Sequence, residues 1–235
     1  RFSYSEDSKM GAPRVVQIGL ARDYDYTSSN GSLTIHDYRL RGILTTLPGK
    51  RYVNNSLFGE VWFRGAELQN RVVLRKSLAA SLGPQGLPVP FDAFWLETAV
   101  GLTHADLPRP KLTRQEEGSR SRWFLNGDEV ASVYFAGNNV PEQLKAGLRR
   151  MWPSAIQLHP QIADDIAAMG RLPREMWIKT QAAGNGSTKP DFDVRHWTLT
   201  EIRTVSAAAY PLPPGLNAAP AESRGAFPEI FSILS

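Results

Sequence analysis

The 235-residue chain contains no cysteine, which excludes disulfides, thiolate metal sites and a cysteine nucleophile. It also lacks any apolar run near the ~20 residues needed to span a bilayer; the longest, "VASVYFAG", is strand-length. No G-x-S-x-G elbow or S-x-x-K appears, so nucleophilic catalysis has no motif behind it. "LPGKRY" (Leu47–Tyr52) has Gly-Lys without the upstream glycine and downstream Ser/Thr of a phosphate loop. The four histidines, His36, His104, His159 and His196, sit at neither helical nor strand spacing from one another, and no metal or cofactor is expected. His36 is expected on a wet face.

Net charge is +4, but the cations are scattered in short groups such as Arg71, Arg75 and Lys76. A nucleic-acid binder gathers them on one face with exposed aromatics, so no nucleic-acid partner is expected. Asp23-x-Asp25 and Asp191-x-Asp193 lack the carboxylate that closes a calcium loop and read as turn chemistry. Asp164-Asp165 reads as the wet face of a helix.

Residues 1–12 are polar and are expected to form a flexible segment. A single domain is expected over 13–216, followed by a Pro-rich tail over 217–235 that docks or covers a sheet edge. Strands are predicted in "RVVQIGL", "SLTIHDYRLRGIL", "FGEVWFRG" and "ELQNRVVLR", the last from the alternation of Leu68, Val72 and Leu74 with Gln69, Arg71 and Arg75. "FDAFWLETAVG" is predicted as a short helix, and "SRWFLNGDEVASVYFAG" as a hairpin turning at Asn126-Gly127. Two amphipathic helices follow, "NVPEQLKAGLRRMW" and "PQIADDIAAMG", capped at Gly170. A last hairpin pairs "REMWIKTQ" with the strand from Asp191.

That last strand changes phase near Thr200-Glu201, and a second change separates Leu33 and Ile35 from Tyr38 and Leu40. A β-bulge produces such a slip and bends the strand. Short connections exclude parallel crossovers. The expected class is α+β: a strongly curved antiparallel sheet with helices packed over the concave face.

Aromatics fall on nearly every predicted strand, and Trp62-Phe63 and Trp123-Phe124 are sequence neighbours. On a strand, neighbours point to opposite faces, which leaves some large aromatics without cover by the helices. A concave apolar binding surface follows from that reading.

"WFLNGDEV", the helical insert, "GRLPREMWI", the long return strand and "AAYPLPPGL" together resemble the bacterial periplasmic lipoprotein-carrier family and related envelope lipoproteins, over roughly residues 30–216. The resemblance implies an open half-barrel covered by helices, with an apolar cavity between, in a protein of the bacterial periplasm or cell envelope. The expected function is non-enzymatic: holding a lipid or lipoprotein acyl chain, with envelope proteins as further partners. Expected lining or lid residues are Trp62, Phe63, Trp123, Tyr134, Leu144, Leu148, Ile162, Ile166, Trp177 and Trp197, with Met169 beside them on the lid helices. Two alternatives stay open: a structural module with a filled core, and an enzyme whose acid/base residue is His196 or His104. The chain opens on Arg1 rather than methionine and is expected to be a mature segment from which any leader or lipid anchor has been removed.

Overall fold

A computed structural model describes residues 1–8, 11–38, 41–47, 51–82, 93–105, 111–181 and 192–203. The expected tail at 217–235, the stretch "AAYPLPPGL", residues 83–90 and residues 182–191 lie outside the described residues.

Among the described residues eleven strands form one antiparallel sheet in the order β6-β5-β4-β3-β2-β1-β11-β10-β9-β8-β7. The chain begins in the middle of this sheet. β1 (Phe2–Ser8), β2 (Gly11–Leu20), β3 (Tyr24–Ser29), β4 (Ser32–Asp37), β5 (Gly42–Leu47) and β6 (Arg51–Ser56) step outward as a meander. Helices α1 (Leu57–Leu82) and α2 (Ala93–Val100) lead to the opposite edge. From there β7 (Leu112–Glu117), β8 (Arg120–Leu125) and β9 (Asp128–Asn139) step inward. Helices α3 (Glu142–Ile156) and α4 (Pro160–Met169) intervene before β10 (Arg171–Gln181) and β11 (Phe192–Ile202). β11 then pairs with β1 at the centre, and among the described residues β6 and β7 are the edge strands of an unclosed sheet.

The pairing of β1 with β11 and β2 corrects the expectation of a flexible N-terminus. Phe2 pairs Ile202 on one side and Ile18 on the other, and Tyr4 is fully buried with its hydroxyl donating to Pro173 O at 2.7 Å. Polar composition misled because Ser3, Ser5, Glu6 and Asp7 lie on a central strand, where ladder bonds hold the backbone.

Local chemistry explains most of the turns. Asn30-Gly31 and Asn126-Gly127 all take positive φ (49°, 77°, 55° and 91°), the geometry of a two-residue hairpin turn. The phase change in β11 is an irregularity of pairing: Ser3 faces Glu201 and Tyr4 faces Leu199, leaving Thr200 as the extra residue. The phase change after Ile35 has a different cause. β4 ends at Asp37 and β5 starts at Gly42, so Tyr38 lies in a turn and not on a bulged strand.

The largest correction concerns residues 58–75, expected as two strands and found within one 26-residue helix, Leu57–Leu82. Ser56 Oγ accepts from the Gly59 amide at its N-terminus, an N-cap. Glu60–Arg64 and Glu67–Arg71 pair at i,i+4. Leu68 and Val72, read as alternate strand positions, are equally one helical turn apart, and both are buried against Val100 of α2. Trp62 and Phe63 are therefore neighbours on an exposed helical face, and the argument that placed them on opposite faces of a strand does not hold.

Helices α2, α3 and α4 pack against the sheet in one core. Trp123, Trp152, Trp197, Leu148, Ile156, Ile162 and Ile166 have essentially no exposed surface. Tyr4 meets Trp152 edge-on at 5.7 Å, and Trp123 Nε1 donates to Asp165 at 2.8 Å. Asp165, expected on a wet face, thus ties α4 to β8. No helix among the described residues is long and apolar enough to cross a membrane.

Candidate functional site

Because the β3–β4 turn is the two-residue Asn30-Gly31, residues equally far from it lie opposite each other. Asp25 therefore faces His36 across the hairpin. The Asp25 carboxylate is 1% exposed and receives His36 Nδ1 at 2.9 Å. A carboxylate oxygen accepts, so Nδ1 is the donor of this bond, and Nε2 is the nitrogen left to meet anything else. Nε2 has no partner among the described residues.

Tyr38 follows in the turn after β4, where its amide donates to Asp23 O at 2.9 Å. Its hydroxyl donates to Asp25 and accepts from Arg150 Nε of α3 at 2.8 Å. The Arg150 guanidinium lies 4.1 Å from the centre of the Tyr38 ring, with one terminal nitrogen 3.6 Å from Asp25. A buried carboxylate left alone would be costly; here a histidine, a phenol and a guanidinium surround it. Burial drives the Tyr38 hydroxyl well above the usual phenol range, and the charge and hydrogen bond of Asp25 add to this while Arg150 partly opposes it.

His36, Tyr38 and Arg150 form one side of a cavity of about 320 Å³. Its other walls come from Ile43 on β5, Leu57 and Val61 on α1, Leu102 after α2, Met151 and Pro153 on α3 and Pro160 on α4. The lining is mostly apolar, with charges confined to a few positions. Arg64 pairs Glu60 at 2.6 Å and Arg149 pairs Asp164 at 2.8 Å, so two of the three guanidinium groups have carboxylate partners at the cavity itself. The volume lies within the range of small-molecule sites, roughly 300–1,000 Å³.

The expected lining residues lie elsewhere. Trp123, Leu148, Ile162, Ile166 and Trp197 are interior to the helix–sheet core, with Leu144 and Met169 packed at its border. Tyr134 and Trp177 meet edge-on at 5.5 Å, and His196 stacks on Trp177 at 4.5 Å. Trp62 and Phe63 line a separate hollow of about 480 Å³ whose described lining residues all belong to α1. That hollow is larger than the first, but one helix supplies no opposing wall, whereas the 320 Å³ cavity is bounded by five elements and by the turns after β4 and α2. The former acid/base candidates do not enter the cavity either. His196 lies 3.8 Å from Glu175, and His104 contacts Gln69 while its amide donates to Glu97 at 2.7 Å.

A second histidine–carboxylate pair is structural. His159 Nδ1 accepts from the Gln161 amide at 3.2 Å, capping α4, and Nε2 meets Glu97 of α2 at 3.2 Å. Its ring stacks on Phe94 at 4.2 Å. Both nitrogens are used. Among the described residues no three His, Cys, Asp or Glu side chains converge as metal ligands.

Sequence reading missed Asp25, His36, Tyr38 and Arg150. The available signal was symmetry about Asn30-Gly31, which sets Asp25 against His36 once the turn is recognised. Arg150 carries no comparable signal. Comparison of the chain with family models, with curated proteins and with solved structures finds no match.

Proposed function

We propose that the protein holds an apolar ligand, a lipid or acyl chain, without transforming it, as a binding or carrier protein of the bacterial cell envelope. The seat of that ligand in this reading is the 320 Å³ cavity where α1, α3 and α4 meet β4 and β5. One observation carries the proposal: walls from several elements converge on apolar side chains yet leave space among them. The described core of α2, α3 and α4 over the central strands is already filled by its own side chains, so the ligand sits beside it and not within it. The bulge at Thr200 and the unclosed edges at β6 and β7 support a sheet bowed into a half-barrel with these helices on its concave side.

Each methylene buried in such a cavity contributes about 0.8 kcal/mol, from which association and ordering costs subtract. Moderate affinity is the outcome, and it suits a carrier that must release its cargo. Native mass spectrometry of protein purified from a bacterial host tests this directly. A co-purifying lipid mass is expected, and Val61→Trp, which places a large ring at the half-exposed cavity wall, is expected to remove it. A clean apo mass together with no uptake of a fluorescent fatty acid would defeat the proposal.

A second reading has one observation behind it. Nε2 of His36 has no partner among the described residues and stands beside the cavity on a ring oriented by a buried carboxylate, the arrangement that a general base uses when its ring is neutral. Turnover of a bound ester that disappears in His36→Gln would favour that reading; ester recovered intact would reject it.

A further inference from the structure

We infer that the ligand is a single-chain amphiphile whose carboxylate seats against Arg150. This rests on the cavity being an apolar ligand site and adds the head group. Arg64 and Arg149 each have a carboxylate partner at the cavity, Glu60 and Asp164. Arg150 does not. Its counter-charge Asp25 is buried behind it, already accepts from His36 and Tyr38, and is 3.6 Å from the nearest guanidinium nitrogen, beyond hydrogen-bond reach.

Only Nε of Arg150 is spent, on the Tyr38 hydroxyl. Among the described residues its terminal nitrogens donate no hydrogen bond, leaving a fork of N–H groups that matches a carboxylate bidentately. Tyr38 also fixes the plane of that fork from below, so little freedom is lost on binding. Arg150 is already ion-paired with Asp25 at 3.6 Å, so what it offers is open N–H donors and little surplus charge, which favours a monoanion. A phosphate monoester would bring a second charge toward Glu60 and Asp164, which remain partly exposed around the same cavity.

Calorimetric titration of delipidated full-length protein with decanoate, decanol and decyl phosphate, each below its micellar concentration, decides the matter. Decanoate is expected to bind at least about tenfold more tightly than decanol, the worth of a charge-assisted hydrogen bond, and no more weakly than decyl phosphate. In Arg150→Gln the preference for decanoate over decanol should vanish. Equal binding of acid and alcohol by the unaltered protein would overturn the carboxylate assignment and leave the apolar site standing. Tighter binding of decyl phosphate would overturn it as well. No binding of any of the three would instead reject the cavity as a ligand site. The three-ligand comparison on unaltered protein holds even if the variant fails to fold.

Discussion

The two histidine–carboxylate pairs of this protein have similar contacts and different surroundings. His159 and Glu97 are 1% and 4% exposed, join α2 to α4, and spend both imidazole nitrogens on protein partners. His36 and Asp25 are joined across a hairpin, with the carboxylate as deeply buried, yet the imidazole borders a cavity and one of its nitrogens has no partner among the described residues. The first pair can only stabilise. The second can also meet something that arrives. What separates them is whether the second nitrogen has a partner, and that depends on neighbouring helices and not on the pair itself.

If that distinction is right, His159→Ala should be the most damaging change. It removes the α4 cap, the stack on Phe94 and the partner of a buried carboxylate, a loss of about 3 kcal/mol or more. Denaturant titration measures it as a lower midpoint at unchanged slope. Asp25→Ala should cost less, about 1–2 kcal/mol, since His36 and Arg150 can rehydrate through the cavity. An Asp25→Ala variant less stable than His159→Ala would break the comparison.

Smaller at neutral pH, but diagnostic in alkali, is the behaviour of two tyrosines. Burial raises the hydroxyl pKa of Tyr4 in the closed core and of Tyr38 in the cavity wall. The folded form therefore keeps phenolic protons that the unfolded chain releases above about pH 10. Stability should be unaffected below that pH and fall as pH rises beyond it. Phenolate absorbance should show these two groups ionising only with unfolding. Early titration of Tyr38 in the folded protein would mean that the cavity admits water to its hydroxyl and that Arg150 prevails over burial and Asp25.

Much of the fold was legible in the sequence for a simple reason. The hairpin turn at Asn126-Gly127, the Gly170 cap with positive φ, and the slip at Thr200 are local events governed by a few adjacent residues. Residues 58–75 defeated the same logic because Trp62, Phe63, Val72 and Val73 favour strands by shape, while the ion pairs at i,i+4 that favour a helix are individually weak. Of the site, only the facing of Asp25 and His36 could be read ahead, through the turn between them.

By itself, then, the amino-acid sequence determined an α+β chain with antiparallel hairpins and a pair of amphipathic helices, because side-chain periodicity and turn chemistry act over a few residues. Tertiary structure alone decided that β1 closes against β11, that α1 is a helix beside a cavity, and that Arg150 of α3 reaches Tyr38 of a distant hairpin. Those contacts join residues far apart in the chain. Their free energy comes from burial and electrostatic complementarity that exist only once the surfaces meet.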